Sequence, residues 1–340
     1  MRVPVYFKHF NTEKRDAVLA GDLGATKVNI ALYQPGGTSL TPIRSRSFHS
    51  KDYASLTEIV REFTADESLP ASVCMAVAGP VIKGKVKITN LDWQLDADQM
   101  QKDLKVKNLC FINDLEATGY GLAGLKADEL SRLDNGDTSQ PGNIAIIAPG
   151  TGLGEAGLYW DGEFYHPFAT EGGHSAFASR TQIDFELYNW LGAQFKYVCW
   201  EHVVSGPGIH HIFRFLTEEK KYPVPDWLTK EMEVNDPSAV ISENAINGQD
   251  SVCNQTMDLF VRYLAAESSS LVLKYKATGG LFLGGGIPPK ILPLLEKNKW
   301  QKLFVESDRM QNLLQQTPVH VILNDKTALQ GAAYYAAYNM

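Results

Sequence analysis

The sequence predicts a mixed α/β fold arranged as two domains. Three observations lead there. A chain of 340 residues is long enough for two domains and a sizeable core. Short apolar runs rich in β-branched residues alternate with stretches of helical periodicity. One device, a strand, a Gly/Thr turn and a second strand, occurs twice, once from Ala17 and once from Asn143.

The elements follow in chain order. Residues 1–16 carry Lys8, Lys14 and Arg15 but no long apolar run, so they read as an N-terminal extension and not as a signal peptide. Residues 17–22 read as a buried strand, 21–26 as a turn and 28–33 as the returning strand. An extended piece at 47–50 precedes a helix at 53–64. Strands are expected at 73–78, 85–89 and 109–112, then a helix at 117–125. The second device comprises a strand at 143–148, a turn at 150–154 and a strand at 157–160, and Asp161-Gly162 turns the chain back through 163–166. Helices are expected at 181–191, 207–216 and, with a long apolar stripe, 252–275. The Pro-, Asn-, Asp- and Ser-rich stretch 222–250 reads as a surface insertion with short helices. A strand at 280–284 runs into three glycines and a helix at 288–295, started by Pro288. A strand at 319–323 and an Ala-rich helix at 327–338 close the sequence.

Composition narrows the function. Hydrophobic content of 44% and charged content of 21% are ordinary for a globular protein. A net charge of −7 leaves no basic surplus to neutralise phosphates, which excludes a nucleic-acid partner. Cys74, Cys110, Cys199 and Cys253 are scattered without CxxC spacing, so neither a zinc site nor a disulfide framework is expected; free thiols fit a cytoplasmic location. No run of about 18 apolar residues exists, so no membrane span is expected.

Three glycine-rich turns suit a nucleotide. Gly21-Asp22-Leu23-Gly24-Ala25-Thr26-Lys27 offers backbone N–H groups and the Thr26 hydroxyl to phosphate oxygens, and Asp22 can reach a metal through water. Taken alone it reads more readily as a plain hairpin turn. Gly150-Thr151-Gly152-Leu153-Gly154 repeats the offer. With Gly157 it also matches GxGxxG, but a dinucleotide loop opens a helix and this one opens a strand, so that reading fails. No GxxxxGK[ST] occurs. Gly284, Gly285 and Gly286 end a buried strand with flat backbone suited to a nucleoside, or simply turn the chain into a helix.

A second set suits a neutral polyol. Asn113 and Asp114 stand at the tip of an apolar strand, and Glu171, His174 and Glu201 lie downstream. Carboxylates accept from hydroxyl groups, the amide donates and accepts, and one carboxylate can take a proton. Each residue has a plainer reading by itself: Asp114 as a helix N-cap, His174 as a structural histidine, Glu171 as a solvated acid, Glu201 in a first helical turn. Jointly, a polyol set beside phosphate turns points to a sugar kinase.

The segments GDLGATK, TNLDW (around Asn90 and Trp93), INDLEATGYG, APGTGLGEAGL, EGGHSAF, EHVVSGPG and LFLGGGIPP occur in that order. In them the chain resembles the bacterial-type glucokinases, a branch of the hexokinase/actin-like ATPase superfamily. The resemblance implies an actin-like (ribonuclease H-like) fold with a cleft between two α/β domains, a small one at 17–112 plus 327–340 and a large one at 113–326. It implies that Asn113, Asp114, Glu171, His174 and Glu201 hold glucose, with Asp114 the base for the 6-hydroxyl. The turns at Gly21–Lys27 and Gly150–Gly152 would hold the phosphates of ATP, with Thr151 beside the γ-phosphate and Gly284–Gly286 near the nucleoside. Mg²⁺ would ride on those phosphates with Asp22 as an outer contact, and a homodimer is implied. Two positions depart from the family: Ala25 stands where Gly is frequent, and Lys27 where Asn is frequent. Lysine there is shared with the ROK kinases, but their cysteine-rich zinc motif is absent from this sequence. Rival readings are a kinase for mannose or N-acetylglucosamine, a sugar sensor, for which 16 residues before the first strand are too few to hold a DNA-binding module, and an actin-like assembly ATPase.

Overall fold

The structure is a computed structural model, and it describes all residues except 1–2, 10–15, 25, 38, 66–67, 89–90, 92, 135, 138 and 298–299. Ala25 and Asn90 therefore lie outside the described residues. The first half contains β1 (Val18–Leu23), β2 (Lys27–Gly36), β3 (Ser39–His49), α1 (Leu56–Phe63), β4 (Ser72–Val77), β5 (Lys85–Lys87), β6 (Gln94–Asp96), α2 (Ala97–Leu104), β7 (Asn108–Asn113), α3 (Asp114–Gly121) and β8 (Leu130–Arg132). Then come β9 (Ile144–Pro149), β10 (Leu153–Trp160), β11 (Tyr165–Thr170), α4 (Gln182–Gly192), α5 (Gly206–Arg214), α6 (Asp226–Val234), α7 (Pro237–Ile246) and α8 (Ser251–Tyr275). The last part holds β12 (Gly280–Leu283), α9 (Leu292–Lys297), α10 (Trp300–Phe304), α11 (Gln311–Gln316), β13 (Val319–Ile322) and α12 (Thr327–Tyr338).

The chain divides into two compact units. One comprises residues 1–129, 156–169 and 324–340, the other 130–155 and 170–323. The first unit is built on a five-stranded sheet ordered β3-β2-β1-β4-β7, in which β1, β4 and β7 run parallel. Of these, β1 and β4 are buried on both faces, hence their near-continuous apolar runs. Leu19, Leu23, Met75 and Val77 pack with Leu56, Ile59, Val60 and Phe63 of α1. Helix α12 packs on β1, β4 and α3. The α3–α12 approach is so close that a Cβ at Gly331 would collide with the Ala117 carbonyl. For that reason the unit runs on past residue 112 through α3.

Residues 3–9 are no loose extension. Val3, Val5 and Phe7 are buried, Val5 bridges Tyr165, and the Phe7 ring stacks on Tyr334 at 5.7 Å between centroids. Apolar residues at 3, 5 and 7 have strand spacing, too short a pattern to read without its partner.

The second unit is centred on α8, a 25-residue helix capped by Asp250, whose Oδ1 accepts from Val252 N (2.8 Å) and Cys253 N (3.0 Å). It belongs to one apolar core with β9, β12 and β13, parallel neighbours in the order β9-β12-β13. The stretch 222–250 differs from its expected surface character. Leu228, Val240, Ile241 and Ala245 of α6 and α7 join this core. The polar residues mark helix starts, as with the Asp236 cap and Pro237 in the first turn of α7. The helix expected at 288–295 begins only at Leu292. Pro289 disfavours a helical Pro288, and neither residue has an N–H to give.

Candidate active site

In the first unit, β1 delivers the first turn. Asp22 pairs with Asn29 across the hairpin, and Gly24 N donates to Lys27 O at 3.0 Å. Burial raises the Asp22 carboxyl above its usual range, opposed by a hydrogen bond from Asn29. Gly21 lies inside β1 against Met75, while Thr26 and Lys27 are exposed. Ser50 N donates to Thr26 O at 3.1 Å, the tie from β3's end.

The first unit also holds Asn113 and Asp114, at the junction of β7 and α3. The cap is Asn113, not Asp114: its Oδ1 accepts from Leu115 N (2.9 Å) and Glu116 N (3.2 Å), and its Nδ2 donates to Gly79 O (3.3 Å). Gly79 presents that carbonyl with φ +103°, a backbone state open to glycine. Capping by Asn113 relieves Asp114 of that duty. The Asp114 carboxylate sits in the first turn, where the helix dipole favours negative charge, with Oδ1 accepting from Leu115 N at 3.0 Å.

The second unit gathers the remaining predicted residues. Ser175 O accepts from Trp200 N (3.1 Å), Phe177 N donates to Val198 O (3.1 Å), and Ala176 bridges Cys199. These bonds hold the Glu171–His174 turn and the Glu201 segment side by side. Glu171 and His174 are exposed. Glu201 is directed at the second turn. Its Oε2 accepts from Leu153 N at 2.9 Å, and a Cβ placed on Gly152 would stand 2.5 Å from that oxygen. Gly150 N donates to Gly152 O (2.8 Å), and Gly150 O accepts from Gly206 N (2.8 Å) at the start of α5. Thr151 is exposed at the tip.

The third loop lies against the second. Gly284 N donates to Ile147 O (2.9 Å) and Ile287 N to Pro149 O (3.3 Å), so 284–287 runs alongside the end of β9. Gly285 has φ +76°, and a Cβ there would stand 2.5 Å from Pro149 O. A Cβ on Gly286 meets nothing within 4 Å, which leaves a bare strip of backbone beside Gly150.

Two supports escape sequence reasoning. Ser205 Oγ caps α5 at Gly208 N (3.0 Å) and donates to Glu201 O (2.6 Å), which fixes the acid's backbone. The Ser-Gly-Pro-Gly run does signal a helix start. Ser238 Oγ of α7 donates to Gly206 O at 2.7 Å; nothing local to 222–250 announces that contact. Among the described residues no group of three or more His, Cys, Asp or Glu is placed to hold a metal ion, and no helix is long and apolar enough to cross a membrane.

Known proteins are similar to this chain in sequence and fold. Residues 19–339 match the family model described as Glucokinase. A curated protein named Glucokinase from Nostoc punctiforme is 38% identical over 336 residues, covering 94% of this chain and 98% of the relative. A crystal structure of glucokinase from an Antarctic psychrotroph superposes with a TM-score of 0.81 at 29% identity, covering 95% of this chain and 99% of that one. A ROK family glucokinase from Streptomyces griseus, solved with glucose and AMPPNP, shares the fold at 17% identity with a TM-score of 0.61, covering 94% and 98%. The fold is that of the actin-like ATPase sugar kinases.

Proposed function

The chain belongs to the glucokinase family, and from that premise we propose that it transfers the γ-phosphoryl group of ATP to the 6-hydroxyl of D-glucose, giving glucose 6-phosphate and ADP. The observation that carries this reading is the Glu201 carboxylate, locked against the Gly150–Gly152 turn by Leu153 N and Gly152. An ATPase that only bound phosphates would gain nothing from an anion beneath its phosphate turn, since like charges repel. A carboxylate there suits a neutral ligand rich in hydroxyl donors.

In this proposal Asn113 and Asp114 from the first unit and Glu171, His174 and Glu201 from the second take the sugar hydroxyls. Asp114, with its Oδ1 oriented by Leu115 N, accepts the 6-hydroxyl proton as that oxygen bonds to the γ-phosphorus and the bond to the β-phosphate oxygen breaks. Thr26, Thr151 and the backbone N–H groups of the two turns face the charge that spreads over the transferring group. The bare backbone at Gly284–Gly286 receives the nucleoside. Mg²⁺ on the nucleotide phosphates would neutralise part of their charge. Asp22, as an outer contact, is a hard oxygen donor of the kind that cation takes; burial disfavours its charged form, and a nearby cation would offset that cost. A cytoplasmic location and a homodimer belong to the same proposal, the latter tested by light scattering.

The deciding experiment is ADP release from Mg-ATP in a coupled assay with glucose, mannose, fructose, N-acetylglucosamine or no sugar. Turnover led by glucose is the expected outcome. Turnover led by another sugar moves the specificity and keeps the chemistry, and ADP release indifferent to sugar undoes the assignment of all five sugar ligands.

A further inference from the structure

Beneath the Glu171–His174 turn lies a pair of acids with no part in the chemistry above. Glu155 on β10 is 2% exposed, and Glu267, in the body of α8, is 0% exposed. Their surroundings differ. Lys274 donates to Glu267 Oε1 at 3.2 Å, so Glu267 has a cation beside it. One oxygen of each acid, Glu155 Oε1 and Glu267 Oε2, has no hydrogen-bond partner among the described residues, and no ion pair is seen at Glu155.

Glu155 meets the turn twice. Its backbone oxygen accepts from Thr170 Oγ1 at 2.9 Å, and that hydroxyl oxygen accepts from Gly172 N at 3.2 Å. Its carboxyl Oε2 lies flat against Gly172, where an added Cβ would collide with it. Gly173, the next residue, is equally pressed on Leu153, two positions before Glu155 on the same strand. The turn that presents Glu171 and His174 thus rests directly on the Glu155 carboxyl.

Burial pushes the Glu155 carboxyl up to about 8; the Glu267 charge adds to the rise and Lys274 opposes it. Glu267 is also raised by burial, with Lys274 and Arg180 opposing. Tyr275 at the end of α8 is raised by burial and by both acids, and Glu171 is the remaining acid on the turn itself. At neutral pH Glu155 is therefore a carboxylic acid, compatible with a buried seat, whereas its ionised form would place an unpaired charge against Glu267 and the turn.

We propose that Glu155 is a positioning residue for the sugar-binding turn: as a neutral acid packed on Gly172 it holds Glu171 and His174 in place, and loss of its proton to solvent loosens the turn and weakens sugar binding. The proposal rests on the reading of that turn as the sugar's. It also carries a stability consequence with a definite sign. The native acid stays protonated up to about 8, while the unfolded side chain ionises near the ordinary value of 4.5. Stability is therefore lost as pH rises through that window, and no further loss follows above it.

The test compares the protein with Glu155→Gln, whose amide has the shape and neutrality of the protonated acid, and with Glu155→Ala. For the unaltered protein the glucose KM is expected to rise about tenfold from pH 7 to pH 9, as one proton linked to binding requires, while kcat keeps its own profile. In Glu155→Gln the KM stays within about twofold of the pH 7 value throughout. Glu155→Ala has a raised KM at pH 7 that no longer depends on pH; should it fail to fold, the glutamine variant still decides. A second readout needs no sugar: the His174 ring resonances of the free protein should show an inflection near pH 8 that the glutamine variant lacks. An alkaline rise in KM that persists in Glu155→Gln, a flat profile in the unaltered protein, or a His174 inflection unchanged by the substitution overturns the proposal. Absence of sugar-dependent turnover at every pH sinks the sugar reading instead, and the His174 signal then still judges Glu155.

Discussion

The turn after β1 and the turn after β9 start from similar sequence, Gly24-Ala25-Thr26 against Gly150-Thr151-Gly152, and are held differently. The first is closed by Gly24 N on Lys27 O and tied by Ser50 N on Thr26 O, with Thr26 and Lys27 exposed. The second is braced from several directions. Glu201 lies beneath Gly152, Gly206 N donates to Gly150 O, and the 284–287 strip runs alongside. A glycine in the first turn answers mainly to local geometry, since a Cβ at Gly24 would meet only Lys27 O at 3.4 Å. A glycine in the second answers to a neighbour that arrives from elsewhere in the chain. On the proposed reading the first unit supplies a proton acceptor and an open turn, whereas the second supplies a braced turn with a carboxylate beneath it.

The largest expected effect tests the first task. Asp114→Asn keeps the size of the side chain and removes the base, so kcat at saturating glucose should fall by about a hundredfold to ten-thousandfold with KM little changed. A near-normal kcat would show that the first unit does not supply the base. Next comes the floor. Glu201→Gln weakens a charge-assisted bond to Leu153 N and should raise the glucose KM about tenfold to a hundredfold, with a smaller change in kcat. Equal losses in kcat and kcat/KM would move Glu201 from holding the sugar to acting in the transition state. The smallest effect concerns stability. Gly152→Ala must displace the Glu201 carboxylate and should cost about 1–3 kcal/mol in urea unfolding, whereas Gly24→Ala should stay within about 0.5 kcal/mol. Equal costs would mean that the two turns are braced alike.

Much of this was readable in the sequence, and for identifiable reasons. Alternation and β-branched runs bounded by glycine announced β1, β4, β9 and β12. The terminal helix runs over Thr327–Tyr338 as its pattern predicts. Residues 222–250 have the composition of a surface stretch because capping and turn residues dominate it, yet Val240 and Ile241 lie in the core. A plain reading also made Asp114 the cap; the structure gives that role to Asn113 one residue earlier. The two residues are equally good caps by type, and only the path of the backbone from β7 into α3 chooses between them.

What the sequence determined by itself is local: where strands and helices lie, which turns can carry phosphate-facing N–H groups, and which residue types are suited to a polyol. Those follow from φ/ψ preference, periodicity and side-chain chemistry, which need no distant partner. Tertiary structure decided which groups meet. Glu201 finds Leu153 N across 48 residues of sequence, and Glu155 comes to lie under Gly172 beside an acid from α8. Such meetings depend on how sheet and helices pack around a shared core, and packing is a property of the whole chain that no single window of sequence contains.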